Sequence, residues 1–313
     1  MTLHEIPLER RTLHGHFSRD LEPVLAVDSG DTIAISVLDA GWGLEAGAPT
    51  RRRFEPRDPE LDAGHALIGP VEVRGARAGD VLEIGIDAIR VGPYGFTDAG
   101  GWRNPFNTRL GVGSGETHTL WWELDADAAV GRDQFGREVD LQPFLGVLGM
   151  PPAEPGIWST GPPRICGGNL DCKELVAGTT LFLPVPVDGA LFSAGDGHAR
   201  QGDGEVSQVA IECPVERAEL TLRVRRDLEL GTPIARTSDA WLTLGLDKDL
   251  DKAAAAAAEA MIELMEREHG LERRDALALA SVAVDLRVTQ IVNRVKGVHA
   301  VLPHDAIRFR TIP

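Results

Sequence analysis

The chain has 313 residues, 43% of them hydrophobic, and its 48 acidic and 32 basic side chains give a formal net charge of -16. This composition is typical of a globular protein with a large core, and the negative charge argues against nucleic acid and anionic lipid as partners. No apolar stretch approaches the ~20 residues that a membrane helix needs, and residues 1–11 lack the apolar core of a signal peptide, so we expect a cytoplasmic location without a membrane partner.

Short β-type segments and turn residues alternate along the chain from residue 20 to about 240. The frequent glycines (35) and prolines (20) also favour many strands joined by tight turns. The fold class expected is mainly β (α+β), with β-sandwich-like sheets and a helical segment near the C-terminus. We expect one domain over residues 1–313, with two β-rich halves at 1–150 and 151–313 as a further subdivision. Strands are predicted at 24–27, 32–38, 81–86, 180–185, 206–213 and 220–225.

Two irregular segments, 96–119 and 150–163, interrupt this pattern and could form the rim of a site, because long loops in compact domains are often functional. Towards the end of the chain the pattern becomes helical. A helix is predicted over residues 249–269, followed by a second from residue 273 or 274 to 284. The β-branched segment 288–292 could extend that helix or form a strand.

The densest group of chemically active residue types lies in segments 167–174 and 195–205. Asp196 and His198 are two residues apart, so they share one face if the backbone is extended. Carboxylate oxygens and imidazole nitrogens are ordinary ligands of zinc-like ions. From local spacing alone, a glycine-rich turn whose aspartates cap backbone amides is an equally good interpretation.

Several segments spread over nearly the whole chain carry a resemblance to a known family. They are TLHGHF (12–17), PVLAVDSGDT (23–32), LDAGWG (38–43), GGNLD (167–171), LPVPVDGALF (183–192), GDGH (195–198), QGDGE (201–205), SVAVDLRVTQIV (281–292) and KGVH (296–299). In these segments the chain resembles the acetamidase/formamidase family. The resemblance implies a hydrolase that converts a small amide to a carboxylate and ammonia, with a divalent metal near the acidic motifs, in a homodimer or larger homo-oligomer. The aromatic-rich segment 102–122 departs from the family pattern, so formamide specificity is not implied.

The resemblance directs the assignment of metal ligands. Asp171, Asp196 and His198 are predicted to bind the metal, and His14 and Asp39 to complete or support the site. His198 favours zinc, whereas oxygen-rich ligation would suit calcium, magnesium or manganese. Without the resemblance, His14 would be interpreted as a surface histidine and Asp39 as a turn cap.

Three further residues are candidates for catalysis. Glu205 is predicted to be the general base and proton shuttle, and Asn169 to offer its amide to the substrate carbonyl. Glu123 is a second candidate acid, ranked below Glu205. The structural alternatives are a turn residue for Asn169 and a solvated strand residue for Glu123. Five other histidines, which lack a comparable acidic cluster, are interpreted as structural or exposed: His65, His118, His269, His299 and His304.

Three alternatives to a metal-dependent hydrolase of linear amides are considered. Cys172 could be a nucleophile beside Lys173 and Glu174, but adjacent residues do not easily converge on one substrate atom. A non-catalytic β-sandwich could use the same acidic loops for a structural calcium or zinc ion. Within the hydrolase interpretation, cyclic amides such as lactams are alternative substrates. The odd number of cysteines, Cys166, Cys172 and Cys213, predicts free thiols.

Overall fold

A computed structural model of the protein describes residues 1–46 and 52–308, and strands dominate it. The strands of the N-terminal part are β1 (Leu3–Ile6), β2 (Leu13–His14), β3 (His16–Phe17), β4 (Leu25–Val27), β5 (Asp31–Val37), β6 (Leu67–Val73), β7 (Val81–Val91), β8 (Tyr94–Ala99), β9 (His118–Asp125), β10 (Val130–Asp133), β11 (Glu138–Asp140) and β12 (Phe144–Gly149). Those of the C-terminal part are β13 (Trp158–Ser159), β14 (Gly167–Asn169), β15 (Thr180–Pro184), β16 (Phe192–His198), β17 (Val215–Arg225), β18 (Ile234–Arg236), β19 (Ala240–Asp247), β20 (Asp285–Gln290) and β21 (Lys296–Pro303). The helices are α1 (Pro105–Arg109), α2 (Leu250–His269) and α3 (Arg273–Ala283), together with a 3-10 turn at Arg10–Thr12.

Two large sheets form the body of the protein. The nine-stranded sheet has the order β1-β5-β17-β7-β15-β18-β19-β21-β20, and the second sheet has the order β14-β12-β16-β6-β2, with β4 added beside β6. A buried apolar cluster contains side chains of both sheets, among them Ile35, Ile84 and Leu220 from the first and Ile68 and Phe192 from the second. This shared core makes the arrangement sandwich-like, and the predicted mainly β fold is confirmed.

The C-terminal helices cover one end of the nine-stranded sheet. Asp249 caps α2 by accepting hydrogen bonds from the backbone N–H groups of Asp251 and Lys252, and the helix ends at Gly270 in the left-handed conformation. Its buried face, which includes Met261 and Met265, packs with residues of β21. Both predicted helices are therefore present, and the ambiguous segment after them forms β20 rather than more helix.

The predicted strand at 206–213 is wrong. The segment contains a turn at 206–207 and only an isolated bridge at Glu212, although β4, β5, β7, β15 and β17 confirm the other predicted strands. Gln208, in the middle of this segment, has a positive φ of 72°, far from the regular strand conformation. The segment is a loop that is exposed at Val206 and becomes buried from Ala210 onward.

A smaller sheet with the order β11-β10-β9-β8 lies beside the six-stranded one. Glu212 joins the two, because it forms bridges both with Phe96 of β8 and with His198 of β16. The irregular segment 96–119 contains the short helix α1 and the ends of β8 and β9. Of the helices that the described ranges contain, none is both long and apolar enough to cross a membrane. The three cysteines are buried free thiols.

Candidate metal and active site

The site is built over a glycine in the middle of the six-stranded sheet. A Cβ atom at Gly146 of β12 would clash with Oδ2 of Asp196 and would lie 2.8 Å from Oδ1 of Asp171 and 3.0 Å from Cε1 of His198. Three predicted metal ligands therefore converge on the space that a side chain at this position would fill. The three side chains can come together only because residue 146 is a glycine and has no side chain of its own.

Strand β16 supplies two of these residues. Asp196 and His198 lie on a strand whose seven residues are all buried, and β12 pairs with it through Val147 and Gly195. The two side chains approach each other, with 3.5 Å between Nε2 of His198 and Oδ1 of Asp196. Asp196 has a positive φ of 62°, so the backbone between the two residues is not the regular extended chain that the spacing argument assumed.

Asp171 reaches the same point from the segment after β14. Its Oδ2 atom accepts a hydrogen bond of 2.6 Å from the amide of Asn293 in the hairpin between β20 and β21. Gln201 connects two parts of the site, because its amide nitrogen donates to the carbonyl of Asp171 and its oxygen lies 3.1 Å from Nδ1 of His198. With Nδ1–H donating to Gln201, the Nε2 atom of His198 is left to face the carboxylates.

Glu205 enters from the loop that follows. Its neighbour Gly204 pairs with Gln290 of β20, and the backbone N–H of Gly204 donates to the carbonyl of Thr289. One ligand atom each of Asp171, His198 and Glu205 lies within 4.8 Å of the others. The structure thus brings the predicted base together with two of the predicted metal ligands.

Glu212 belongs to the site and was missed by the sequence interpretation. Its Oε1 atom lies 3.3 Å from Nε2 of His198, and Asp196, His198 and Glu212 form a second group of potential ligand atoms within 4.8 Å. One signal in the sequence could have identified it: Glu212 is an acidic residue between the apolar Ile211 and Cys213. A glutamate in such a segment is expected to have a partner, because glutamate is almost never buried alone. Glu212 was not recognised as a site residue because the segment 206–213 was predicted to be a half-exposed strand.

Several atoms of the cluster lack hydrogen-bond partners. Oδ1 of Asp171, Oδ1 of Asp196, Oε2 of Glu205 and Oε2 of Glu212 are all buried and unpaired. Four buried carboxylates around one imidazole are costly unless a cation compensates their charge. Tetrahedral zinc with bonds of about 2.0–2.2 Å separates neighbouring ligand atoms by about 3.3–3.6 Å. The observed 3.3 and 3.5 Å separations at His198 therefore suit a zinc-like ion.

The backbone at the cluster is also strained. Asp171, Asp196 and Glu205 have positive φ values of 47°, 62° and 47°. Residues with side chains rarely adopt this conformation, and each such residue costs on the order of 1–3 kcal/mol. Strain of this kind is concentrated at functional sites, where the surrounding fold holds it in place.

Burial and mutual charge shift the acid groups in different directions. Burial, reinforced by neighbouring Asp171, raises the pKa of Glu205 well above its ordinary value, and burial also raises the pKa of Glu212. For Asp196, burial opposes ionisation, but its interactions with the neighbouring imidazoles of His65 and His198 outweigh burial and lower its pKa. His65, interpreted from the sequence as structural or exposed, therefore contributes to the electrostatics of the site.

Two other predicted ligands lie apart from these groups. His14 has both ring nitrogens engaged: Nδ1 lies 2.6 Å from the carbonyl of His16 and Nε2 lies 3.0 Å from the hydroxyl of Ser193. Asp39 accepts hydrogen bonds of 2.9 Å from the backbone N–H groups of Gly41 and Gly43, which is the turn-cap arrangement. Their metal-binding roles stay predictions, and neither belongs to a ligand group among the described residues.

The two remaining catalytic candidates, Asn169 and Glu123, differ in burial. Asn169 is buried on β14, its amide nitrogen donates to the carbonyl of Gly161, and its Oδ1 atom has no partner. Glu123 is exposed on β9, where it alternates with the buried Trp122, so the structure does not bring it to the cluster.

A cavity of about 450 Å³ reaches Glu205, with a mainly apolar lining that includes Leu110, Val112, Trp122, Val206 and Ile211. The predicted rim segment 96–119 supplies part of its wall.

Comparison with known proteins gives consistent matches. A model of the Acetamidase/Formamidase family matches residues 3–157 and 156–309. A solved acetamidase from Bacillus halodurans is 29% identical, with a TM-score of 0.82 over 96% of this chain and 97% of that chain. A predicted acetamidase/formamidase from Thermoanaerobacter tengcongensis is 26% identical, with a TM-score of 0.82 over 98% and 99% of the two chains. A formamidase from Methylophilus methylotrophus is 24% identical over 62% of this chain and 60% of its own length. The chain thus spans about 60% of the length of the curated relatives that it matches over 250 residues.

Proposed function

The chain belongs to the acetamidase/formamidase family, and from this membership we propose that it is an amidase, which hydrolyses a small amide to a carboxylate and ammonia. The observation that carries the proposal is a pair of buried ligand groups that share His198: Asp171, His198 and Glu205 form one, and Asp196, His198 and Glu212 form the other. It combines unpaired carboxylate oxygens with an oriented imidazole, and one member of the cluster, Glu205, lines a cavity. This is the donor set that metal-assisted hydrolysis requires.

Asp171, Asp196, His198 and Glu212 would hold the ion. When bound, a zinc-like ion supplies positive charge that polarises a carbonyl group and favours deprotonation of water. The imidazole and the ligand separations favour zinc, while the predominance of carboxylates keeps calcium and magnesium as alternatives. His14 and Asp39 are left in supporting roles, since their polar atoms are occupied in the ways described above.

Glu205 is the proposed proton carrier. As a carboxylate it takes a proton from the water that adds to the amide carbon, and as a carboxylic acid it returns the proton to the nitrogen when the C–N bond breaks. Its raised pKa brings proton transfer closer to neutral pH than an exposed glutamate allows. Its buried, unpaired Oε2 atom is free to accept that proton.

Asn169 would donate a hydrogen bond to the substrate carbonyl oxygen. It precedes Asp171 by two residues and is held by its bond to the carbonyl of Gly161, which leaves the second N–H of the amide for another acceptor. A fixed donor of this kind stabilises the negative charge that develops on oxygen. The apolar cavity beside Glu205 would receive the acyl group of the substrate.

A cysteine mechanism receives no support from the site. Burial raises the pKa of the Cys172 thiol well above its ordinary value, and the thiol donates to Glu174 rather than facing the cavity lining. A nucleophilic cysteine requires the opposite shift. Glu123, which is exposed, has no role in the proposed reaction.

The decisive experiment measures ammonia release from formamide, acetamide, larger aliphatic amides and lactams. The purified protein is tested as isolated, after chelation, and after single metals are restored. Release that chelation abolishes and one metal restores is the expected result, and the panel ranks linear against cyclic amides. Stoichiometric metal without release from any amide would favour the structural-metal alternative, and release unaffected by chelation would overturn the metal assignment.

We also propose that the protein is a cytoplasmic homo-oligomer. Free buried thiols are typical of a reducing compartment, and the family resemblance implies association. Light scattering after size-exclusion chromatography tests this, and a monomer at micromolar concentration would contradict it.

A further inference from the structure

A second group of ligand-type side chains lies outside the proposed reaction centre. One ligand atom each of Cys172, Glu174 and His299 lies within 4.8 Å of the others. Sγ of Cys172 is 3.4 Å from Oε2 of Glu174, and Nε2 of His299 is 3.5 Å from Oε1 of Glu174. Cys172 and His299 are completely buried, and Glu174 is slightly exposed. The group connects the segment after Asp171 to strand β21.

The imidazole of His299 is oriented for a further interaction. Its Nδ1 atom lies 2.8 Å from the hydroxyl of Thr289 on the neighbouring strand β20. With Nδ1–H donating to that oxygen, the lone pair stays on the buried Nε2 atom, which faces Oε1 of Glu174 at 3.5 Å. Histidines that bind metals typically have their other ring nitrogen held by a hydrogen bond in this way, which fixes the orientation of the ring.

We propose that Cys172, Glu174 and His299 form a separate binding site for a zinc-like divalent cation. Thiolates, carboxylates and imidazoles are the protein ligand types that bind zinc. Tetrahedral zinc with bonds of about 2.0–2.3 Å separates neighbouring ligand atoms by about 3.3–3.8 Å. The separations of 3.4 Å (Sγ to Oε2) and 3.5 Å (Nε2 to Oε1) fall in that range, and one ligand atom of each residue lies within 4.8 Å of the others.

Binding exchanges one proton for one cation. The Cys172 thiol loses its proton to solvent as the sulfur–metal bond forms, and Glu174 ceases to be the acceptor of that thiol. Because the Glu174 side chain is 15% exposed, a water molecule at that edge would complete four-coordination. The positive charges nearby are compensated: Lys173 pairs with Asp203 at 2.8 Å, and the Arg287 side chain, 3.4 Å from Glu174, is 43% exposed and screened by solvent.

A cation at this site would link the segment next to the reaction centre to the C-terminal hairpin of β20 and β21. Cys172 follows Asp171 directly, and the hairpin that contains His299 also contains Asn293, which donates to Asp171. A cation that bridges Cys172 and His299 would therefore hold the backbone on both sides of the Asp171 carboxylate. The role is structural, and it does not depend on the amidase proposal.

Cobalt substitution tests the site without reference to activity. Co²⁺ bound to a thiolate gives a strong sulfur-to-metal charge-transfer band in the near ultraviolet, and the centre around His198 contains no sulfur ligand. The chelated protein reloaded with Co²⁺ should show the band, Cys172→Ser should lose it, and His299→Gln should weaken or lose it. Cys166→Ser is the matched control, because Cys166 is also buried but its Sγ atom donates only to the carbonyl of Met150.

The outcomes separate this site from the reaction centre. His198→Ala should keep the band while it loses metal at the reaction centre, and zinc content should be lower by one ion per chain in Cys172→Ser than in Cys166→Ser. Absence of the band in the unmodified protein, or equal zinc contents in the two cysteine variants, would overturn the proposal. If Cys172→Ser does not fold, His299→Gln decides the question, because it keeps all three thiols and an unchanged band in this variant would overturn the proposal.

Discussion

The Nε2 atom of His198 lies 3.3 Å from Oε1 of Glu212, and both side chains are almost completely buried. His198 ends strand β16, whereas Glu212 lies in an irregular segment that bridges to it. A buried carboxylate at this distance from a ring nitrogen either pairs with a protonated imidazole or shares a cation with a neutral one. The unpaired oxygens of Asp171, Asp196 and Glu205 nearby favour the shared cation.

Replacing Glu212 should therefore weaken metal binding. We expect Glu212→Gln to lower metal affinity by about 10–100-fold and activity with it, because the charge that balances the ion is removed while the shape of the side chain is kept. Metal content after dialysis and the dependence of ammonia release on added metal measure this. Glu123→Gln, which changes an exposed glutamate on β9, is the control and should leave both quantities unchanged. Equal metal affinity in the two variants would contradict the assignment of Glu212.

Replacing Glu205 should separate proton transfer from metal binding. We expect Glu205→Gln to keep its metal and lose about 10²–10⁴-fold in kcat, because an amide cannot accept the proton of the attacking water. Parallel measurements of metal content and ammonia release test this. Loss of metal would make Glu205 a ligand, and normal turnover would remove it from the mechanism.

The space above Gly146 should tolerate no side chain. Gly146→Ala would place a methyl group against the carboxylates of Asp171 and Asp196, and displacements of about 1 Å in a catalytic group can cost about 10²-fold in rate. Gly85→Ala is a matched control on strand β7, where the nearest atom to a new Cβ is 3.5 Å away. The activity and metal content of the two variants should differ strongly. Similar activities would show that the cluster does not need this space.

His14 should make stability depend on pH. Burial lowers its pKa from 6.5 to about 4, so the unfolded chain binds a proton more readily than the folded one. The stabilisation by neutral His14 is complete above pH 6.5 and is lost as the pH falls towards 4, by about 2 kcal/mol between about pH 7.5 and pH 5. Urea unfolding of the protein and of His14→Gln at the two pH values tests this. The variant should lose less stability on acidification, and identical losses would contradict the prediction.

Much of the framework follows from local sequence. Asp249 and Gly270 predict the ends of α2 because a side-chain cap and a left-handed glycine act within one helical turn. The two-residue spacing of Asp196 and His198 keeps them near each other on one strand. These features depend on contacts between residues close together in the chain, and the sequence alone determines them.

Tertiary structure alone decided the composition of the site. Glu212 reaches His198 through a bridge between segments that no local pattern connects, and Asp171 and Glu205 reach it through positive φ angles that the surrounding fold maintains. The same long-range packing occupies the ring nitrogens of His14 and leaves Glu123 in solvent. Residue type and spacing specify which groups are able to bind a metal, but only the pairing of distant strands determines which of them meet.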